Sequence, residues 1–322
     1  MTDASNGPQI PRPHYLPEMP VAGPPAIPPP VTPPPGGVPP IGGLQPEGAD
    51  RWRWYHALLA FLGGFVAGQI AILIIGGAWA SIEGVSFDSL SDNSSFILVA
   101  SAVNEVFFIV FSYVVARMTG PVTARDFGLR RAPFWPTVWR MAAVMVGYFV
   151  LLAAYSSLVN LEPDTSPDKL GAATSDTHML FFAILVGVMA PIAEEFFFRG
   201  FLFRALRNGL GLWAAAVVSG ILFGALHIDS GSAERLLQVV PLAILGVSFA
   251  LLYAWTGTLY ATIALHATNN SIAVAAYAEK NNSDFGIALA GVIWLLMMLG
   301  CTFGYLLTDR RRRGDVEYAL PQ

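Results

Sequence analysis

Apolar residues run along this chain in long unbroken stretches, with short polar linkers between them. Eight such runs are read from the sequence: Ala57–Trp79, Phe96–Ala116, Met141–Val159, Met179–Phe203, Leu212–His227, Leu236–Trp255, Leu259–Tyr277 and Ile287–Leu307. They reach about 20 residues, the length an α-helix needs to cross the hydrocarbon core of a bilayer. The expected fold is all-α, a polytopic membrane helical bundle of about eight transmembrane helices.

Composition agrees with that pattern. The 322 residues are 54% hydrophobic and 12% charged, where a soluble domain carries about 25% charged residues. A large soluble enzyme is thereby excluded, and no nucleic-acid partner is expected. The single cysteine, Cys301, excludes an intrachain disulfide. No cleavable signal is expected, because the first fifty residues lack an apolar core. They hold sixteen of the 24 prolines, so an extended, solvated spacer is expected there. A docking ligand for a proline-recognising partner is the alternative for that tail.

The net charge of −4 matters less than where the charges lie. Arg51 and Arg53 precede the first run, and Arg117, Arg125, Arg130, Arg131 and Arg140 fill the second loop. Arg204 and Arg207 occupy the fourth loop, and Arg310 to Arg313 follow the last run. The alternate loops are mostly acidic, with Glu83, Asp88 and Asp92 in the first. Basic loops stay on the cytoplasmic side, so both termini are expected in the cytoplasm of a multi-pass plasma-membrane protein. The expected divisions are a disordered proline-rich cytoplasmic tail over 1–50, N-terminal transmembrane helices over 51–135, core helices over 136–307, and a basic cytoplasmic tail over 308–322.

Cysteine and tyrosines aside, six ionisable side chains fall inside the runs: Glu105, Glu194, Glu195, Arg199, His227 and His266. A charged residue facing lipid at mid-depth costs roughly 2.5–3.5 kcal/mol, so each is expected to face protein. Their spacing narrows the picture. Glu195 and Arg199, four apart in PIAEEFFFRG, share a helix face and can pair. Glu194 then points about 100° away around the helix, and Pro191 is expected to kink the segment. Glu194 and His227 lie about equally far from the turn in RNGLGLW, so an antiparallel hairpin would bring them to similar height. In LHATNNSI, His266 and Asn270 share a face at i,i+4.

Taken singly, each feature has a plain structural explanation. Glu195 with Arg199 fits an ion pair, His227 a hydrogen-bonded helix end, His266 with Asn270 an interspan pair, and Phe223 core packing. Together, EEFFFR, FGALH and HATNN resemble the EExxxR, FxxxH and HxxxN motifs of the CAAX prenyl protease and bacteriocin-processing family of intramembrane endopeptidases. The resemblance covers roughly residues 135 to 305, making 136–307 the expected protease core. It implies hydrolysis of peptide bonds in membrane-associated proteins or peptides, with the lipid bilayer as surroundings. Carried over by motif, Glu194 and His227 activate a water, and His266 and Asn270 stabilise the oxyanion. Glu195 and Arg199 support the first carboxylate. No cofactor is favoured. A zinc alternative stays open, in which Glu194, His227 and His266 are the ligands. Glu105 matches no motif and is left outside the catalytic set. Two other classes also stay open, a non-proteolytic membrane scaffold or regulator and a proton-coupled transporter.

Overall fold

The computed structural model describes residues 51–159, 175–227 and 233–317, and the proline-rich segment lies outside them. Seven helices follow in order: α1 Trp54–Glu83, α2 Ser94–Met118, α3 Phe134–Val159, α4 Asp176–Ala225, α5 Ala233–Thr256, α6 Leu259–Lys280 and α7 Asp284–Glu317. A short 3₁₀ turn, Asp88–Asp92, leads into α2. Among the described residues there is no strand. The fold is the all-α membrane bundle that the apolar runs predict.

Each of the eight runs read in the sequence lies on helix. Six segments are long and apolar enough to cross a membrane: α1, α2, α3, α4, α5 over Val239–Thr256, and α7. Two of the expected runs, Met179–Phe203 and Leu212–His227, fall in α4, which breaks into two helical arms at Gly211, where φ is 77° and ψ is −178°. Such a φ suits glycine, which has no Cβ to clash. The chain reverses there, bringing the Phe223 ring of the second arm 5.2 Å from that of Phe198 on the first. The helix α6 falls outside the six because its middle carries His266, Thr268, Asn269 and Asn270. Finally, α7 continues past the expected end at Leu307 to Glu317.

Burial divides the helices by role. More than half of the apolar window of α4 is buried, against 6% for α3, so α4 is the central hairpin. Phe197, Phe198, Phe201 and Phe203 of α4 pack with Trp52, Phe108, Phe127 and Phe223 in the main core. Outward-facing Leu73, Ile74, Leu151, Leu296 and Phe303 are exposed, as expected of side chains bathed in lipid. Small residues of α1, namely Ala57, Ala60, Gly64, Gly68, Gly76 and Ala80, are its buried set and let α2 approach closely.

A proline inside α5 is accommodated by a neighbour. The ring of Pro241 disturbs the carbonyl four residues back. That is the carbonyl of Leu237, and the Tyr155 hydroxyl of α3 donates to it at 2.7 Å. The crossing of α4 and α5 is tighter still. A Cβ on Gly220 would lie 2.7 Å from the Ala243 carbonyl oxygen and 2.8 Å from the Val247 nitrogen. Backbone meets backbone here, so neither side can yield by turning a side chain. Gly220→Ala is therefore expected to destabilise the protein by about 1–3 kcal/mol. Gly77→Ala, where nothing lies within 4 Å, is the neutral comparison. Thermal unfolding of the two purified variants checks this.

Candidate active site

The site is built on an irregular part of α4. Two π-type turns, Leu185–Met189 and Phe196–Leu202, flank the α-helical stretch Ala190–Glu195. Wide turns of this kind recur at functional positions. The first has a local cause. The Ala190 nitrogen donates to the Leu185 carbonyl, five residues back. The next donor in that register would be Pro191, which has no N–H. The Val186 carbonyl is thus left open, and the Asn270 side-chain amide of α6 donates to it at 2.8 Å. Pro191 thereby creates the acceptor that anchors Asn270.

Charge is concentrated one turn further on. Glu195 and Arg199 are fully buried, with Arg199 Nη1 2.7 Å from Glu195 Oε1. Arg199 Nη2 donates to the Gly246 carbonyl at 2.9 Å. The rings of Phe198, Phe223 and Phe249 surround the guanidinium at 5.5, 4.8 and 5.2 Å. His266 Nδ1 lies 2.9 Å from the same Glu195 oxygen. Its other nitrogen, Nε2, lies 3.8 Å from Glu194 Oε2. A guanidinium, a carboxylate, an imidazole and a second carboxylate thus form one buried chain. Glu195 fixes the tilt of the His266 ring and, by accepting from Nδ1, leaves Nε2 directed at Glu194.

The structure brings together Glu194, Glu195, Arg199 and His266, and holds Asn270 one turn along α6. His227 is placed differently. It sits on the turn that ends α4, exposed, with Nδ1 2.8 Å from the Phe223 carbonyl oxygen. It makes no ion pair with Glu194 among the described residues. The two histidines meet the same ring instead, His227 at 5.1 Å and His266 at 5.8 Å from the centroid of Phe223. Phe223 is buried and packs between them. Among the described residues no three of His, Cys, Asp and Glu converge as a metal-binding set. Glu194, His227 and His266 therefore do not fit a zinc site in this arrangement.

One participant was not assigned from the motifs. Glu105 of α2 sets its carboxyl close to that of Glu194. The only sequence signal was its being an acidic residue inside an apolar run. Glu105 Oε2, Glu194 Oε2 and Glu195 Oε2 are all buried without a hydrogen-bond donor in the protein. Buried acceptors of this kind call for a partner, and a water or a peptide N–H supplies one.

Comparison with known proteins bears out the resemblance drawn from the motifs. Residues 176–272 match the family model described as Rce1-like, type II CAAX prenyl endopeptidase. That segment contains all three motifs. An uncharacterized protein of Mycoplasma capricolum is 27% identical over 194 residues, covering 56% of this chain and 55% of that protein. Uncharacterized protein YyaK of Bacillus subtilis is 27% identical over 253 residues, covering 73% and 81%. "Putative membrane peptidase YdiL" of the same organism is 27% identical over 116 residues, covering 34% and 45%. The chain thus spans about half the length of the Mycoplasma protein and of YdiL. No solved structure matches the chain significantly. Residues 176–272 are thus similar to a family of CAAX-type endopeptidases, and the apolar helices make the chain a multi-pass membrane protein.

The buried chain of charges generates a stability expectation. Arg199→Met strands Glu195 beside a single imidazole and is expected to cost about 3–5 kcal/mol, the usual loss when one partner of a buried pair is removed. Arg199→Lys keeps the charge but loses the fork that reaches both Glu195 and the Gly246 carbonyl. An intermediate loss is expected for it, read from the midpoint of thermal unfolding in detergent.

Proposed function

We propose that this chain is an intramembrane endopeptidase of a bacterial plasma membrane, cleaving membrane-associated proteins or peptides with both of its termini in the cytoplasm. The observation that carries the reading is the buried chain Arg199–Glu195–His266–Glu194, set within the segment that matches a peptidase family. Hydrolysis needs a base beside the attacking water and donors where negative charge develops. Glu194 is the base. It takes a proton from water as the water oxygen bonds to the scissile carbonyl carbon. Glu105, beside the Glu194 carboxyl, positions that group. When the tetrahedral intermediate collapses, the C–N bond breaks and the proton passes from Glu194 to the leaving amine.

His266 and Asn270 are the donors to the oxyanion. In that role His266 acts as the imidazolium, one N–H held by Glu195 and the other left to donate, and Asn270 is supported by the anchoring of one amide hydrogen on the Val186 carbonyl. That anchor leaves the second amide hydrogen available. His227 is the second water-activating group. It closes on Glu194 from the far side of Phe223, and its place on the terminal turn of α4 allows that approach. No step in this scheme passes through a metal or another cofactor.

Glu194→Gln is expected to abolish cleavage while leaving insertion and folding intact, a loss of at least about 10²-fold. Comparing the termini of membrane proteins in wild-type and Glu194→Gln cells reads this directly. An unchanged set of termini would turn the reading to a scaffold. His227→Ala is expected to give the same loss. Glu105→Gln is expected to lower kcat by about tenfold with KM unchanged, the effect of one positioning contact. Steady-state cleavage of a peptide substrate in nanodiscs measures the last two.

A further inference from the structure

Arg204 lies five residues beyond Arg199 on α4 and is also buried, at 2% exposure. The two guanidiniums are held in opposite ways. Arg199 has a carboxylate and a carbonyl to donate to. The three guanidinium nitrogens of Arg204 are shut away from solvent, and none has a hydrogen-bond partner. The group lies over the ring of Trp52, 5.0 Å from its centroid. A cation over an indole face recovers only part of the hydration that a buried guanidinium gives up.

Nearby polar groups do not make up the difference. Arg130 and Arg207 both stand close to Arg204, and both lie near Tyr253. The Trp52 indole N–H and the Tyr253 hydroxyl are themselves buried without partners. A fully buried cation, two flanking cations, an indole and a phenol are therefore gathered near the break in α4. That is the complement of an oxyanion, and the planar guanidinium fork matches the oxygens of phosphate two at a time.

We infer that this cluster is a phosphate-binding site, in which Arg204 is the central donor and Arg130 and Arg207 supply flanking charge. Trp52 and Tyr253 contribute their N–H and O–H. Arg207 is only half-buried, so the cluster opens toward the protein surface through it. The basic loops predict that this part of α4 faces the cytoplasm. Two sources can present the group there: the headgroup of an anionic phospholipid in the adjoining leaflet, and free inorganic phosphate.

Thermal unfolding of the purified full-length chain separates these sources without reference to proteolysis. The probes are micelles doped with phosphatidylglycerol, micelles doped with a phosphate-free diglycosyl lipid of the same acyl chains, and inorganic phosphate against chloride at equal ionic strength. Ligand binding to the folded state should raise the midpoint by about 3 °C. A rise with phosphatidylglycerol but not with inorganic phosphate assigns a lipid headgroup, and the reverse assigns free phosphate. Arg204→Gln is expected to remove the rise and Arg207→Gln to reduce it. No rise with either phosphate source, an equal rise with the phosphate-free lipid, or a full rise retained by Arg207→Gln overturns the proposal. Arg207→Gln decides the matter even if Arg204→Gln fails to fold, because Arg207 is half-buried and its loss leaves the core intact.

Discussion

A guanidinium sealed inside a membrane bundle organises everything around it. Arg199 cannot shed its charge, and stripping it of water costs several kcal/mol unless partners replace that water. Glu195, the Gly246 carbonyl and three aromatic faces are those partners. Each comes from a different part of the fold. Glu195 belongs to α4 itself, Gly246 and Phe249 to α5, and His266, which completes the shell of Glu195, to α6. Meeting the demand of one cation thus locks three helices in register. The same lock aims His266 at Glu194, so the groups assigned to stability and those assigned to chemistry share atoms.

The close crossing of α4 and α5 serves the same end. Only because Gly220 and Gly246 allow backbone contact can a carbonyl of α5 reach into the position that Arg199 Nη2 requires. Packing of small residues gives close approach, close approach gives the hydrogen bond, and the hydrogen bond holds the acidic pair. On the other side of α4, the irregular turn before Pro191 performs a parallel task for Asn270. Both devices depend on departures from regular helix in the one helix that the others surround.

Much of this was legible in the sequence. Continuous apolar runs sufficed for the all-α membrane fold, and i,i+4 spacing sufficed for the pairing of Glu195 with Arg199, because both are local properties of a helix. The three motifs located Glu194, His266 and Asn270 correctly as residues facing protein. What escaped was non-local. Height in a hairpin suggested that Glu194 and His227 would be neighbours; His227 makes no ion pair with Glu194 among the described residues, and both histidines contact the ring of Phe223. Glu105 carries no spacing signal toward α4, since α2 meets it only through the fold. The turn in RNGLGLW was legible by contrast, since Gly211 breaks α4 there and the two arms fold back on each other.

The polarity of α6 bears on how the protein is made. Of the long helices, α6 alone, with its His, Thr and Asn side chains, lacks the apolar length to partition into lipid unaided. Yet twelve of its residues are buried against its neighbours. Its entry into the bilayer during biosynthesis therefore depends on helices already in place, and α4 and α5 precede it from the ribosome. His266 and Asn270 thus reach the bundle after Glu105, Glu194 and Glu195, the carboxylates they are to meet.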